Sequence, residues 1–379
     1  MKVFIAVLAP CLILASGCSD SPTDLGRGLL KTQDTLHLEK REFTATGDTT
    51  VIVKGYDGLG RIFVGSYNTM QAASVMEFIV SSFSSTQIID SAAIILQRNY
   101  SYYDSTTPFA ITAFQVSHSW TTTKFTWDTM AAIISDTVAG SMFWPSVTGD
   151  STISVPIDTA IIRLWSTAGN GTVVLQPTQN VLGMNMIQGF GNFYDITGDF
   201  RALLRISYHE TPTDTLIQRN IRTTRSVSVF TGTIPQPQGT MIVQASLASR
   251  SVLRFDTLSL PKNVSITEAS LWLPVDNAQT ALNNYSRDSV VIYMLRYNSY
   301  PYDSVAYSMV CSPFTDTTGQ KYYTGDIKNI VQYWNTRGSN LGFVIHPFGE
   351  YTTIDRFGLL GSGSTTLRPR VKITYTALP

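Results

Sequence analysis

The chain has 379 residues, with 27 Lys plus Arg against 27 Asp plus Glu, and only 14% of its residues are charged. This length is enough for two domains that each bury a core, and the balanced charge excludes a strong overall attraction to nucleic acid or to an anionic membrane. Thr, Ser, Tyr and Val are abundant, which favours strands and turns. The composition therefore predicts an all-β secreted protein.

Residues 1–17 are predicted to be a lipoprotein signal peptide. Lys2 precedes an apolar run from Val3 to Ala15, which has the length of a signal-peptide core and is too short for a membrane-spanning helix. The run ends in Leu14-Ala15-Ser16-Gly17-Cys18, which resembles a bacterial lipobox. The resemblance implies that Cys18 is diacylated and becomes the mature N-terminus; an ordinary cleaved signal with a chance Cys is the alternative. Two or more acyl chains give stable anchoring.

We therefore expect a protein tethered through Cys18 to a membrane of the bacterial envelope, with the outer membrane as the expected site, facing the periplasm or the cell exterior. Cys11 would be lost with the signal peptide, which leaves Cys311 as the other thiol. Because Cys311 follows Tyr307 and Met309 at alternate positions, we expect it to pack as a small apolar side chain, the alternative being a nucleophile.

Residues 18–48 are predicted to be a polar stalk that becomes a first strand near Leu36 to Phe43. Residues 49–210 contain many short alternating or apolar runs separated by Gly, Ser, Thr and Asn, among them the run Lys124 to Met130. Residues 211–379 repeat the order. Runs of this length and spacing predict two tandem antiparallel β-sandwich domains of jelly-roll type.

The clearest repeat lies between Ser251 and Val275. Two predicted strands there face each other across a polar turn, with Leu253 and Phe255 directed inward from the first strand and Ala269, Leu271 and Leu273 directed inward from the second. A similar stretch begins 177 residues earlier, in which the matching inward positions are Met76, Phe78, Ala92, Ile94 and Leu96. The inward positions keep their apolar character and the outward ones do not.

Each half also contains one predicted short helix before its last strands. Asp326 would cap a segment in which Ile330, Val331 and Trp334 share one face. The counterpart runs from Asp158 to Trp165. Both halves then close on similar strands, Arg205-Ile206-Ser207-Tyr208 and Lys372-Ile373-Thr374-Tyr375, and the shared order indicates a duplication.

Several of these segments resemble the DNRLRE type of β-sandwich, a family similar to carbohydrate-binding modules that occurs on secreted bacterial and archaeal proteins. The resembling segments are Leu253-Arg254-Phe255-Asp256, Ile266 to Leu273, Ile330 to Trp334 with Asn340 and Gly342, Arg368 to Ile373, and Trp120 through Trp127. Glu77 departs from the pattern, because the second half has Arg254 at that position. The leader and Val64-Gly65-Ser66-Tyr67 also resemble Bacteroidota surface lipoproteins of unassigned role.

No catalytic motif is recognisable. The four His residues have no metal-ligand spacing, and neither an H-E-x-x-H motif nor a G-x-S-x-G motif occurs. The six Glu residues are possible glycosidase acids, but each also has a structural explanation; they are Glu39, Glu42, Glu77, Glu210, Glu268 and Glu350. Asp195 and Asp199 could form a loop cation site, such as a structural Ca²⁺ site, although a simple turn is the favoured explanation. We therefore expect no enzyme and no cofactor.

Aromatic side chains are the better lead, because sugars stack on exposed rings while nearby polar groups fix their orientation. Trp165 and Trp334 are expected in the core. Trp272 alternates out of phase with its inward neighbours, so we expect it on the outer face beside Arg254, unless a loop or the other domain covers it. The remaining candidates are Trp120 and Trp127, for which a core or rim position is the favoured interpretation, and the loop residues Tyr300 and Tyr302.

Together these observations predict a surface-anchored, non-catalytic binding lipoprotein that holds a polysaccharide or a cell-surface glycan. Weak sites in two domains would gain from effective concentration on one polymer. One alternative is a structural adhesin or envelope-assembly subunit whose outward aromatics meet protein partners. The other is a polysaccharide lyase or hydrolase.

Overall fold

The computed structural model describes residues 38–52, 61–103, 107–145, 152–179, 181, 184, 186–191, 202–247, 249–262, 264–283, 286–298, 307–337 and 339–377. Within these ranges no helix has the length and apolar character needed to cross a membrane. The predicted signal peptide, Cys18 and most of the predicted stalk lie outside them.

The described residues form twenty-one strands and three short helices. The strands of the first half are β3 (Ile62–Tyr67), β4 (Met70–Phe78), β5 (Ile88–Tyr103), β6 (Phe109–Val116), β7 (Ile134–Trp144), β8 (Thr152–Ile157), β9 (Gly171–Pro177), β10 (Met186–Phe190), β11 (Leu203–His209) and β12 (Ile217–Thr231). The helices are α1 (Trp127–Ile133), α2 (Thr159–Ala168) and α3 (Lys328–Thr336). The other strands are β1 (Leu38–Thr44), β2 (Gly47–Ile52), β13 (Thr240–Gln244), β14 (Ser249–Arg254), β15 (Val264–Pro274), β16 (Val290–Met294), β17 (Ser308–Thr315), β18 (Lys321–Asp326), β19 (Phe343–Pro347), β20 (Arg356–Leu360) and β21 (Arg370–Ala377).

This architecture confirms the predicted fold class. All described strand pairs are antiparallel, and they form one system of eleven strands and one of ten. The predicted helices are present as α2 and α3, which come just before strands β9 and β19. Asp158 and Asp326 accept hydrogen bonds at their N-termini, from the backbone N–H groups of Ala160 and Lys328, each at 2.8 Å.

One element was assigned wrongly from the sequence. The run Lys124 to Met130, predicted as a strand, turns into helix α1 at Trp127. Thr126 caps this helix, because its Oγ1 accepts from the backbone N–H of Thr129 at 3.2 Å. A hydroxyl at the cap position satisfies a free N–H of the first turn and so favours a helix over a strand.

In the second sandwich, one layer contains β1, β21, β15, β18 and the C-terminal half of β17. The other contains the N-terminal half of β17, then β16, β19, β14 and β2, with β13 and β20 beside them. In the first sandwich, β5 and β12 change layers in the same way. The N-terminal half of each pairs with β11. The C-terminal half of β5 pairs with β10, and the C-terminal half of β12 pairs with β4. Strands that pass from one layer to the other are typical of jelly-roll sandwiches.

The stretch from Ser251 to Val275 contains two strands that share no hydrogen bonds with each other. β14 pairs with β19 and β2, whereas β15 pairs with β18 and β21, so the two strands lie in opposite layers. Their inward side chains, including Leu253, Phe255, Leu271 and Leu273, meet in one buried core. β4 and β5 have the same relationship in the first half, where Met76, Phe78, Ile94 and Leu96 are buried together.

Strand register supports the duplication more strongly than sequence does. Ile95 faces Leu203 in the first sandwich, and Trp272 faces Arg370 in the second. These pairs are equivalent, since Trp272 lies 177 residues after Ile95 and Arg370 lies 167 after Leu203. Trp165 and Trp334, on the matched helices, are both buried in the core of their own sandwich, as predicted.

The outermost strands are exchanged between the two repeats. β12 completes the first sandwich by pairing with β11 and β4. Its equivalent in the second sandwich is β1 with β2, which come from the other end of the chain and pair with β21 and β14. Thr44 faces Arg370 as Arg222 faces Leu203, and Thr50 faces Ser251 as Ser228 faces Ser74, each at a separation of 178 residues.

The predicted domain boundaries therefore do not coincide with the change of sandwich. Residues 38–52 include the end of the predicted stalk, yet they are strands of the second sandwich. Residues 217–231 were assigned to the second domain, yet they pair only with first-sandwich strands in the described chain. The predicted boundaries came from linker positions along the chain, and those do not indicate which distant strands pair with each other.

The two sandwiches contact each other through apolar and polar side chains. Tyr100, Tyr102 and Ile187 of the first sandwich pack with Ile354 of the second. The hydroxyl of Tyr100 accepts from the backbone N–H of Ile354 at 3.0 Å, and Arg61 donates to the carbonyl of Thr352 at 2.9 Å.

Candidate ligand-binding surface

Two of the predicted site residues lie on different surfaces. Trp272 lies on the outer face of β15 and is half-buried. Arg254 lies on β14, in the opposite layer, where its guanidinium approaches the carbonyl of Leu341 at 3.5 Å. Because the outer faces of two packed layers point in opposite directions, the predicted grouping of Arg254 with Trp272 is wrong.

Trp120 does not face solvent either. Its side chain is only 5% exposed and packs against Phe125, with ring centroids 5.5 Å apart. The guanidinium of Arg225 covers the indole, with its central carbon 4.5 Å from the ring centroid. Trp127, the first residue of α1, is half-buried and packs against the same cluster. A stacking role for Trp120 is therefore excluded in this conformation, and Trp127 is part of the rim of the cluster.

Four other predicted residues lie outside the described ranges. These are Tyr300 and Tyr302 of the predicted platform, and Asp195 and Asp199 of the predicted cation site. Among the residues that the structure does describe, no group of three or more His, Cys, Asp or Glu side chains could hold a metal ion.

Trp272 is the centre of an aromatic and cationic cluster that we call the Trp272 patch, formed by Trp272, Phe314, Tyr322, Arg370 and Lys372. The register brings them together from four strands, because Trp272 faces Arg370 across to β21 and Phe314 faces Tyr322 across β17 and β18. Outward positions on neighbouring strands form rows of adjacent side chains. The patch is thus a consequence of strand order in the outer layer.

The rings of the patch meet edge to face. The centroid of Trp272 lies 5.3 Å from that of Phe314 and 5.4 Å from that of Tyr322, at interplanar angles of 82° and 77°. This is a favourable geometry for aromatic pairs. Tyr322 is buried beneath its neighbours, whereas Phe314 is 44% exposed. Phe314 and Trp272 therefore supply the apolar surface that a ligand could reach.

Cationic groups border the indole. The ammonium of Lys372 lies 4.1 Å from the Trp272 ring centroid, and the guanidinium carbon of Arg370 lies 5.7 Å from it. Both distances are within the range of cation–π attraction. Arg370 also pairs with Glu42 of β1 at 3.2 Å. The patch is therefore a group of edge-to-face rings bordered by N–H donors.

Neutral polar groups complete the surface. The indole N–H of Trp272 donates to Oγ of Ser270 at 2.9 Å. Thr324 faces Trp272 across the ladder, and Ser312 faces Thr324, which places two hydroxyls in the same row. Burial raises the pKa of Tyr322, with Arg370 acting in the opposite direction, so its hydroxyl is protonated at neutral pH. The surface can stack on an apolar face and exchange hydrogen bonds around it.

Of the five residues of the Trp272 patch, only Trp272 was predicted from the sequence as a binding residue. Arg370 and Lys372 alternate with buried Val371 and Ile373, which indicated that they face outward. No local signal indicated that they would lie beside Trp272, because that proximity depends on which strands are neighbours.

Five of the six Glu carboxylates have a hydrogen-bonding or ionic partner. Glu77 pairs with Arg225 at 2.6 Å, and Glu350 accepts from Arg250 at 2.8 and 2.9 Å. The other partners are Tyr375 for Glu39, Arg370 for Glu42 and Gln87 for Glu210. These contacts give the carboxylates structural roles.

Two buried groups have shifted acidities. Burial alone would raise the pKa of Glu350, but hydrogen bonds from His346 and Arg250 lower it to about 2. Burial raises the pKa of Cys311 to about 12, so its thiol is not ionised at neutral pH. The interpretation of Cys311 as a packing residue agrees with its position in the second core.

No protein-family profile and no curated protein matches the sequence. Among solved structures, one named BspA_C_mut is 10% identical, covers 88% of this chain and 90% of its own, and has a TM-score of 0.19. Another, named BspA_C_WT, is 8% identical, covers 84% and 87%, and has a TM-score of 0.18. TM-scores this low support no conclusion about fold or function, so the DNRLRE resemblance stays a prediction.

Proposed function

We propose that this protein is a surface-anchored, non-catalytic binding lipoprotein, and that it holds a polysaccharide or a cell-surface glycan on the Trp272 patch. The observation that supports the proposal is the half-buried indole of Trp272 beside exposed Phe314, surrounded by hydroxyl and cationic donors. Sugars offer both an apolar C–H face and hydroxyls, which matches this combination of groups.

Affinity electrophoresis against a panel of polysaccharides tests the proposal. The wild-type chain should be retarded by at least one polysaccharide, and Trp272→Ile, which installs the residue of the first half, should weaken binding about tenfold, equivalent to ~1.4 kcal/mol. Phe143→Ala is the matched control, because Phe143 is an exposed aromatic of the first sandwich, 59% accessible. Lack of retardation across the panel, or equal loss in both variants, would contradict the proposal.

The same preparation separates the alternatives. A structural adhesin or envelope subunit would recover a stoichiometric protein partner from solubilised envelope, with no effect of added glycan. A lyase or hydrolase would turn over a glycan and lose that turnover when one carboxylate is replaced.

The lipid anchor is part of the proposal and has its own test. We expect palmitate labelling of the protein in a bacterial host and loss of the label in Cys18→Ser. Labelling that persists in Cys18→Ser would refute anchoring at this residue.

A further inference from the structure

The second sandwich is completed by a segment that is remote along the chain, and this distinguishes it from the first. In the first sandwich, β12 follows β11 after a short connection and forms a hairpin with it. In the second, Leu38 pairs with Thr376 and Thr44 with Arg370. The closing strands of the second sandwich are thus tied to it by the whole length of the first.

Residues 38–52, which we call the closing segment, make their own set of contacts with the second sandwich. It is held by backbone ladders to β21 and β14. Ala45 is buried in the second core at 3% exposure, and Phe43 packs against the same core. Thr46 donates to Asp256 at 2.9 Å, and Asp48 accepts from the backbone N–H of Ser362 at 2.6 Å.

These contacts leave most of the segment in solvent. In β1, Leu38 to Glu42 are all exposed, and Phe43 is the one partly buried side chain. β1 is therefore held mainly by main-chain hydrogen bonds, by Phe43, and by the contacts of Glu39 with Tyr375 and of Glu42 with Arg370. Each such bond contributes only about 0.5–1.5 kcal/mol net, and exposed strand ends open more readily than a core.

We propose that residues 38–52 form a donor segment that can close the second sandwich of a neighbouring copy of this chain. The donated segment would make the same ladders and bury the same side chains, so exchange between copies changes few contacts. It would also supply Glu42 to Arg370 at the Trp272 patch, so the patch of one copy is completed by its neighbour. This inference is independent of the proposed glycan ligand.

Self-closure competes with donation. A segment on the same chain has an effective concentration set by its connection, and below that concentration of a second copy closed monomers dominate. Crowding many copies at high local concentration, as on a shared surface, favours donation by mass action. The expected products are reciprocal dimers or head-to-tail chains.

Cysteine trapping in the full chain tests the inference. Lys40 faces Thr374 across β1 and β21, so Lys40→Cys on one chain and Thr374→Cys on a second, differently tagged chain become neighbours only after exchange. Both are made with Cys11→Ser and Cys18→Ser; Cys311 stays protected by burial. After concentrated mixing and mild oxidation, the mixed disulfide should form at least about tenfold faster than for Lys40→Cys with the control Ser154→Cys, on an exposed position of β8.

The double variant Lys40→Cys/Thr374→Cys is the second control. Oxidation locks the segment to its own sandwich, since paired Cα atoms in a ladder lie within disulfide range. The locked chain should stay monomeric at any concentration and regain concentration-dependent dimers on reduction. Mixed disulfides at the rate of the Ser154→Cys control, or equal oligomers in the locked and reduced chains, would overturn the inference.

Discussion

The two sandwiches agree at inward positions and differ at outward ones. Leu271 and Leu273 of the second match Ile94 and Leu96 of the first, and all four are buried in the same layer of their sandwich. Between them, outward Trp272 matches Ile95. Since the register is the same in both halves, the difference lies in the side chains and not in the backbone.

The neighbouring strand shows the same contrast. Arg370 faces Trp272 in the second sandwich, whereas Leu203 faces Ile95 in the first. Lys372 matches Arg205, which donates to Asn220 at 3.3 Å and has no aromatic partner among the described contacts. The duplication thus kept the packing, and at these matched positions the aromatic and cationic side chains are found in the second copy, which is why we place the proposed function there.

Equal cores should respond equally to truncation. Phe78→Ala and Phe255→Ala each remove a fully buried ring at matched positions, and each should destabilise its sandwich by about 3–5 kcal/mol. Urea unfolding followed by Trp fluorescence measures both losses. A cost below ~1 kcal/mol in one half would show that the two positions are not equivalent.

The Arg250–Glu350 pair should distinguish the halves, because Ala73 occupies the position of Arg250 in the first. Replacing Arg250 with Met leaves the buried carboxylate of Glu350 without its main partner and should cost about 3 kcal/mol. Thermal unfolding at neutral pH measures the loss. The control is Arg205→Met, at an exposed position of the first sandwich; an equal effect of both would contradict the interpretation.

The same pair predicts an acid sensitivity confined to the second sandwich. The pKa of Glu350 is lowered from 4.5 to about 2 in the folded chain. A lowered pKa stabilises the fold above the unfolded value, and that contribution is lost as pH falls from about 4.5 toward 2. Glu350→Gln should remove this part of the pH dependence in urea titrations at pH 2–6. An unchanged acid transition would assign it to other carboxylates.

Asp355, at the contact between the halves, should behave in the opposite way. Burial raises its pKa above 3.8, and its Oδ2 has no hydrogen-bond partner among the described residues. A raised pKa favours the fold below the unfolded value, and this advantage is lost as pH rises through the folded pKa. Asp355→Asn should therefore stabilise the chain at pH 7 by about 1 kcal/mol and have less effect near pH 3. Destabilisation at pH 7 would show that the carboxylate charge is needed.

The smallest expected stability change is at the patch itself. Trp272 is half-buried, so Trp272→Ile should lower stability by about 1 kcal/mol or less while weakening glycan binding. Parallel unfolding and binding measurements check both outcomes. A stability loss as large as that of Phe255→Ala would make Trp272 a core residue.

Much of the fold was predictable from residues with strong local signals. Alternation identified Leu253, Phe255, Leu271 and Leu273 as core, and helical spacing placed Trp334 on a buried face, because burial depends on short-range periodicity. The proximity of Trp272 to Lys372, and its distance from Arg254, depend on strand neighbours far apart in sequence, which periodicity does not specify.

The exchanged strands were missed for the same reason. Residues 39–44 and 217–222 occupy equivalent ladders, yet they share little beyond one Arg and an inward apolar residue, Phe43 in one and Ile221 in the other. Edge strands with charged side chains tolerate many sequences, so their equivalence became visible only through register.

The antiparallel pairing of β1 with β21 has a mechanical consequence. Tension applied to the chain before Leu38 pulls first on the pair that joins Leu38 to Thr376 at the end of the ladder. The hydrogen bonds then break in succession, as in a zipper, and do not share the load. A protein held by its N-terminus and pulled through its ligand would therefore yield first at this strand, while the first sandwich, closed by its own hairpin, stays folded.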